Sequence, residues 1–252
     1  MLMLLVTPLG ARAQQLAPAS LDEPCSVPPD PRWTPQEKFV WERVCSGKSA
    51  DFSAAPGYGG ELDPKKPDGW PQNRVLRPAF LETILFKDPY RRALARAGVV
   101  IRGARFTEAL ELDDAELEHP FGLQLSLFEK GVSLRRVKSK FPIGFEGSKV
   151  AGSVDMYELE LGGDLGMQNG GVADVNLRSA HVSQLDLSDS EVSGPLDMVL
   201  LHVDKVLFMG GSKVSGELNM NGVQVGASLS MNRKAEFAEW SLPAPAWGAS
   251  SA

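Results

Sequence analysis

The sequence predicts a mainly β protein: a right-handed parallel β-helix of about six coils of about 22 residues, with an N-terminal α-helical cap. One observation is an apolar position that recurs about every 22 residues from Phe106 to Val214. Another is that pairs of apolar residues lie between successive occurrences of this position, with one residue between the two members of each pair. A repeat of this length is too short for helical pairs and is typical of one coil of a β-helix.

Four inward positions recur in each coil. The first column is Phe106, Phe128, Val150, Val172, Val192 and Val214, and the second is Leu117, Ser139, Leu161, Val182, Val203 and Val225. One set of alternating pairs runs from Leu110/Leu112 to Leu218/Met220, and the other runs from Phe121/Leu123 through Val206/Phe208 to Leu229/Met231. Alternation with period two is the pattern of a short strand with one face inward. Ser139 is the polar exception, and we expect Val137 to take its place through a local slip.

Small residues mark the corners between strands. They precede the first column by two positions and are Ala104, Ser126, Ser148, Gly170, Ser190 and Ser212. Gly152, Gly194 and Gly216 follow the column, where a corner is expected to need a positive φ. An antiparallel domain would show hairpin signals between strands, but Asn169-Gly170 and Asn221-Gly222 lie inside the repeat and do not recur in each coil.

Three segments carry a resemblance to a known family: GSKVAGSVDM, DSEVSGPLDM and GSKVSGELNM. They resemble a degenerate form of the pentapeptide-repeat β-helices, in which a small residue, Asp or Asn, and an inward Leu recur every five residues. The five-residue phase holds over Leu177, Val182, Leu187 and Val192 and then slips to six. The tract from Asn73 to Phe106 is also similar to bacterial proteins of unassigned function in which helices cap a β-helix. The resemblance implies a fold and transfers no catalytic residue.

The chain divides into four predicted regions: a signal peptide (1–13), a disulfide-tied helical cap with a Gly/Pro-rich loop (14–98), β-helix repeats (99–237) and a low-complexity tail (238–252). Met1 to Leu9 is apolar, and Ala11-Arg12-Ala13 precedes a cleavage point near Gln14. This run is far shorter than the ~20 residues that span a bilayer. We therefore expect a periplasmic or secreted protein without a membrane span. The alternative is a buried or disordered N-terminal segment.

Cys25 and Cys45 are the only two cysteines. In an exported protein an even pair predicts a disulfide, whereas metal ligation or a nucleophilic role has little support. A helix is predicted after Thr34, with Pro35 at its first position and Glu37 completing a capping box. Further helices are predicted over Phe80 to Leu85 and over Arg91 to Ala97, the second capped by Asp88 and stopped by Gly98.

Outward positions of a solenoid stack into ladders, and one ladder consists of carboxylate and amide side chains. It contains Asp155, Asn176, Asp197 and Asn219, preceded by Glu111 and Ser133. Interleaved Asn relieves repulsion between carboxylates. The ladder is either a stripe that binds cations or sugars or a solvated ladder that stabilises the rod.

A second outward column contains Glu160, His181 and His202. Imidazole and carboxylate together suit zinc, so these residues are candidate ligands of a divalent metal, with Asp204 as the obvious fourth. The alternative is a pair of surface histidines that titrate near neutral pH. No cofactor is expected.

The composition favours some partners over others. The formal net charge is −6 and the basic residues are scattered, which disfavours direct nucleic-acid binding. The nearly uniform coils leave no inserted loops to build a catalytic cleft. We therefore expect a non-enzymatic scaffold that binds an envelope protein or glycan, and a homodimer through the uncapped C-terminal coil. The alternatives are a carbohydrate-binding or carbohydrate-active β-helix and, less favoured, an acidic DNA mimic that occupies a topoisomerase.

Overall fold

A computed structural model of the chain describes residues 25–231 and 235–241. Over this range the chain is a parallel β-solenoid with about 22 residues per turn and about 6 turns, preceded by a few helices. The predicted fold class is therefore confirmed. The predicted signal peptide (1–13) and the residues after 241 lie outside the described part of the chain.

Three short helices precede the solenoid. They are α1 (Pro35–Cys45), α2 (Pro78–Phe86) and α3 (Tyr90–Ala93), and a 3-10 turn spans Gln72–Arg74. The predicted capping box is present in α1, where Thr34 accepts a hydrogen bond from the amide of Glu37. The predicted third helix is shorter than expected and ends before Leu94, which has extended backbone angles. Asp88 does not cap it through its side chain and instead forms ion pairs with Arg91 and Arg92.

The strands form two parallel sheets that wind around one core. In chain order they are β1 (Ala50–Asp51), β2 (Val99–Arg102), β3 (Arg105–Phe106), β4 (Leu110–Glu111), β5 (Glu116–Leu117), β6 (Phe121–Gln124), β7 (Leu127–Phe128), β8 (Val132–Ser133), β9 (Lys138–Ser139), β10 (Ile143–Gly144), β11 (Lys149–Asp155), β12 (Glu160–Gly166), β13 (Gly171–Asn176), β14 (His181–Asp186), β15 (Glu191–Val192), β16 (Leu196–Asp197), β17 (His202–Val203), β18 (Val206–Phe208), β19 (Lys213–Asn219), β20 (Gln224–Val225), β21 (Ser228–Ser230) and β22 (Glu236–Ser241). The last strand ends four residues beyond position 237, where the repeats were predicted to end.

Strand pairing confirms the register of both apolar columns. Phe106 pairs with Phe128, and the ladder continues through every predicted member to Val214 and then to Phe237. Leu117 begins a second ladder that ends at Val225. Phe106 and Phe128 also stack face to face, with ring centroids 4.7 Å apart. Side chains of one column therefore stack directly from coil to coil.

The predicted slip at Ser139 is wrong. Ser139 pairs in register with Leu117 and Leu161 and is buried. Its hydroxyl bonds to the backbone of Phe141, which satisfies the polar group inside an apolar column. Val137 belongs instead to a separate inward column that the sequence pattern did not reveal.

The predicted inward pair Val206/Phe208 is also wrong. Leu207 and Met209 are the buried residues, and Leu207 pairs with Leu185. Because four consecutive residues here are apolar, alternation alone does not distinguish the two faces. The number of residues in the preceding corner decides which set points inward.

Each half-coil turns at a residue with a positive φ. These residues recur every 10 or 11 positions and are Gly103, Asp114, Leu125, Arg136, Gly147, Glu158, Asn169, Ser179, Asp189, Leu200, Gly211 and Gly222. The expected corner glycines Gly152, Gly194 and Gly216 do not have a positive φ. Gly152 is required by close packing, because a Cβ there would lie 2.6 Å from the amide nitrogen of Gly131.

Coil length varies by single residues at two corners. Between Val150 and Ser153 the chain has two residues, whereas the paired segment of the next coil has only Ala173. A second irregularity places Gly162 and Gly163 opposite Ser183 alone. The coil without these extra residues is the one that keeps the five-residue phase. Bulges of this kind therefore account for the change from five to six residues between successive inward positions.

The cap is joined to the solenoid by a strand and by a buried arginine. β1 pairs with β2 and so extends one sheet into the cap. Arg74 is fully buried and donates hydrogen bonds to carbonyls of Tyr58, Gly60 and Gly103. The bonds to Tyr58 and Gly60 anchor the predicted Gly/Pro-rich loop of the cap. Trp33, Trp41, Phe80 and Tyr90 form an aromatic cluster in the cap.

Cys25 and Cys45 form a disulfide with a Cα–Cα distance of 5.3 Å, so this predicted pair is present. The Cys25→Ser/Cys45→Ser double variant should lose about 3 kcal/mol of unfolding free energy, because the bridge closes a loop of 20 residues in the unfolded chain. Urea denaturation with and without reductant measures the loss. Reductant should destabilise the wild type and leave the double variant unchanged; equal behaviour of the two would contradict the prediction.

Glu37 forms a buried ion pair that joins α1 to α2. Its carboxylate is fully buried and accepts hydrogen bonds from Arg77 at 2.6 and 2.8 Å and from the amide of Thr34. Burial opposes ionisation, but the bonds from Arg77 and Thr34 outweigh it and hold the pKa of Glu37 below its ordinary value of 4.5.

The stabilisation from Glu37 should therefore be complete above the ordinary glutamate pKa and should be lost as the pH falls through the lowered value. At neutral pH Glu37→Gln should cost about 1–3 kcal/mol, because the bonds from Arg77 lose a charged acceptor. Urea unfolding measured from pH 7 downward should show the gap from wild type closing in acid. The exposed Glu42→Gln on the same helix is the control. A gap that is constant with pH would contradict the assignment.

Candidate functional site

The acidic and amidic ladder lies on the outward face of one sheet. Asp155 pairs with Asn176, Asn176 with Asp197, and Asp197 with Asn219. The structure therefore brings the four predicted residues together, one per coil. The amide of Asn176 donates to Asp155 at 2.9 Å.

Each ladder residue also holds the turn that follows it. Asp155 accepts from the amide of Tyr157, Asn176 from that of Arg178, Asp197 from that of Val199, and Asn219 from that of Asn221. Asp and Asn favour such a bond to the backbone two residues on. The positive-φ residue comes one position after the amide donor in each case. A ligand on this stripe would have to compete with the turn bonds.

Arginines neutralise part of the ladder charge. Arg178 lies 2.8 Å from the carboxylate of Asp197, and Arg135 lies 3.6 Å from that of Asp155. All four side chains are partly accessible to solvent, so these pairs add little to stability by themselves. They make the stripe less acidic than its carboxylates alone would suggest.

The second predicted set is only partly assembled. His181 pairs in register with both Glu160 and His202. The two imidazole rings lie edge to face with centroids 4.6 Å apart. Glu160 instead forms an ion pair with Lys138, at 3.0 Å.

Asp204 completes the histidine cluster in place of Glu160. One carboxylate oxygen, Oδ1, lies 2.8 Å from Nε2 of His181 and 3.3 Å from Nε2 of His202. The hydrogen bond from His181 is the main reason that the pKa of Asp204 is lowered. Asp204 lies just beyond the end of β17, two residues after His202, and it is the residue expected as the fourth ligand.

A groove of about 640 Å³ runs beside this cluster. Its rim carries both charges and includes Glu116, Glu118, Lys138, Lys140, Glu160 and Asp204. Phe141 is 38% exposed and lines the groove. An exposed aromatic ring within a charged rim is the composition of a protein-binding surface.

A second groove, of about 330 Å³, lies on the other side of the same corner. Its floor is a glycine ladder in which Gly144 pairs with both Gly122 and Gly166. Polar side chains surround it: Gln124, Glu146, Asp164, Gln168, Gln184 and Asp186. Oε2 of Glu146 and Oε1 of Gln168 are buried without a hydrogen-bond partner. Sequence reasoning missed this groove, although glycine at one outward position every 22 residues is a readable signal.

The fold places the chain in the class of parallel β-solenoid proteins. No protein-family model, curated protein or solved structure matches it. Within the described residues no helix has the length and apolar character needed to cross a bilayer. The site residues must therefore be interpreted from their own chemistry.

Asp155→Ala should lower the free energy of unfolding by about 1–2 kcal/mol, because the amide of Tyr157 and the side chain of Asn176 lose their acceptor. Asp155→Asn should cost less, since its oxygen can still accept the turn bond. Thermal and urea denaturation measure both changes. Ser153→Ala, two residues earlier and exposed, is the control. An Asp155→Ala protein as stable as this control would show that the ladder does not hold the turns.

Proposed function

We propose that this protein is a non-enzymatic interaction scaffold of the bacterial cell envelope. The observation that carries the proposal concerns the outward ladder of Asp and Asn. Its carboxylates and amides are candidate ligand-binding groups, but they accept hydrogen bonds from the turns of their own chain. The polar surface thereby stiffens the rod. A stiff rod presents its side chains at fixed spacing, which lowers the entropic cost of binding a partner.

The groove beside Phe141 is the partner-binding surface in this proposal. Its exposed aromatic ring supplies apolar contact area, and its rim supplies both signs of charge for orientation. The partner class that suits it is a protein of the envelope. A second copy of the chain is a further partner, joined through the last described coil. In the described part of the chain the outer edges of β20, β21 and β22 have no paired strand, and Leu229 is exposed.

Export and family belong to the same proposal. The disulfide between Cys25 and Cys45 fits an oxidising compartment such as the periplasm or the cell exterior. The inward apolar residues at five-residue spacing in one coil fit a degenerate pentapeptide-repeat solenoid. The inference of export rests on the disulfide, and the inference of family rests on the five-residue spacing.

Carbohydrate binding is the second candidate, and the glycine-floored groove favours it. Sugar hydroxyls donate hydrogen bonds, and Glu146 and Gln168 offer buried acceptors without partners at this groove. Unsatisfied buried acceptors of this kind gain free energy when a donor reaches them.

The scaffold proposal predicts a protein contact at one face only. A photo-crosslinking residue at Lys140, in the groove, should give a discrete covalent adduct when the full chain is expressed in bacteria and irradiated. The same residue at Ser193, exposed on the other sheet, should give none. Phe141→Ser should abolish the adduct without unfolding the protein, because the ring is already partly exposed. Denaturing gels and mass spectrometry provide the readout.

Equal labelling from both positions, or an adduct that survives Phe141→Ser, would contradict the protein-binding surface. The carbohydrate alternative makes a different prediction in a glycan array. There, binding should be lost with Glu146→Ala and retained with Phe141→Ser. Ala at Asp155 or Asp197 tests the ladder as a sugar stripe in the same array.

A further inference from the structure

We propose that His181, His202 and Asp204 form a binding site for a divalent metal ion of the zinc type. The ligand atoms of these three residues all lie within 4.8 Å of one another. Among the described residues, it is the one group of three or more His, Cys, Asp or Glu side chains whose spacing suits a metal ion. The inference goes beyond the scaffold role and does not depend on it.

The solenoid itself brings these ligands together. His181 and His202 occupy the same outward position in successive coils, so their rings are held about one strand spacing apart. Asp204 lies two residues after His202, just beyond the end of β17, and its carboxylate contacts both rings. Backbone bonds fix all three positions: the amides of His181, His202 and Asp204 donate to the carbonyls of Leu159, Ala180 and Val182, respectively. Little ordering of the chain is needed to bind an ion.

The separations are close to those of a zinc site. With zinc–ligand bonds of about 2.0–2.1 Å in a tetrahedron, neighbouring ligand atoms lie about 3.3 Å apart. Nε2 of His202 is 3.3 Å from Oδ1 of Asp204, and Nε2 of His181 is 2.8 Å from the same oxygen. Entry of the ion requires the second distance to open by about half an ångström, which a side-chain rotation provides.

A residue outside the cluster orients one ligand. Nδ1 of His202 lies 3.2 Å from Oε1 of Gln224, one coil further on. When Nδ1–H donates to this oxygen, Nε2 carries the lone pair and faces Asp204. Zinc-binding histidines commonly donate their second ring nitrogen to such an acceptor, which fixes the tautomer. Gln224 therefore acts as a positioning residue, and its contact is an observation independent of the cluster.

The three ligands leave a fourth position for water or an anion. Imidazole and carboxylate select borderline ions such as zinc over calcium or magnesium, which prefer oxygen ligands alone. His181 and Asp204 also line the groove that carries Lys138 and Lys140. Four carboxylates, those of Glu116, Glu118, Glu160 and Asp204, also line this groove, so its charge balance favours a cation. Glu160 is not assigned as a ligand, because it pairs with Lys138.

The test is zinc titration of the full-length, tag-free, oxidised protein by isothermal calorimetry after removal of metals with a chelator. One zinc ion per chain should bind. His181→Ala, His202→Ala and Asp204→Asn should each weaken binding at least about tenfold, and Gln224→Ala should weaken it by about 10- to 100-fold. Cobalt in place of zinc should give the visible absorption of a tetrahedral ion, and this absorption should be lost with the same variants.

His119→Ala is the matched control, because it removes the remaining histidine of the chain. That residue lies three coils from His181, about 14 Å along the rod at the spacing of parallel strands. It should leave affinity and stoichiometry unchanged. The substituted side chains are all exposed or half-exposed, and circular dichroism confirms that each variant is folded. No heat of binding at millimolar zinc, or equal affinity in the wild type and His202→Ala, would overturn the proposal.

Discussion

A single coil of this protein cannot bury its own apolar side chains, and every other feature follows from that constraint. The coils must stack with their backbones paired, and pairing in parallel places equivalent residues directly above one another. The ladder from Phe106 to Phe237 is the inward result, in which each side chain packs on its counterpart. On the outside, a residue type that recurs at the same position of successive coils forms a continuous column along the rod. The acidic ladder, the glycine floor and the histidine pair are all consequences of the same register.

The corners contribute the second requirement. Two of the turns in every coil are made at a residue in the left-handed region, and few residue types adopt it freely. Bulky residues such as Leu125 and Leu200 are nonetheless found there. Each lies over a glycine of the next coil, Gly147 and Gly222 respectively, where a Cβ would meet the leucine side chain. Turn bonds that Asp155 and its equivalents accept from backbone amides help to hold the chain in this conformation. The ladder residues and the turn residues therefore stabilise one structural unit.

The sequence predicted the inward columns because alternation and period are properties of the whole repeat, which single substitutions do not erase. It failed at Val206 and Phe208, where both phases are apolar and only the length of the corner selects the buried set. Arg74 was not predicted as a core residue, since the carbonyls that it bonds lie on three separate segments. In the candidate site the stacking of His181 on His202 was predictable from the period. Asp204 was also expected there, but the ion pair that removes Glu160 from the cluster depends on where Lys138 points, which no spacing encodes.

The bulged corners at Gly152 and Gly163 imply a way in which this fold can change during evolution. One residue can be gained or lost there while the flanking apolar side chains keep their partners, as the coil with Ala173 and Ser183 demonstrates. The same indel within a strand would turn its inward face outward. Insertions and deletions should accumulate at these two edges of the rod, and longer insertions there would add loops beside the existing grooves. The edges are therefore where relatives of this protein would acquire new binding specificities without rebuilding the core.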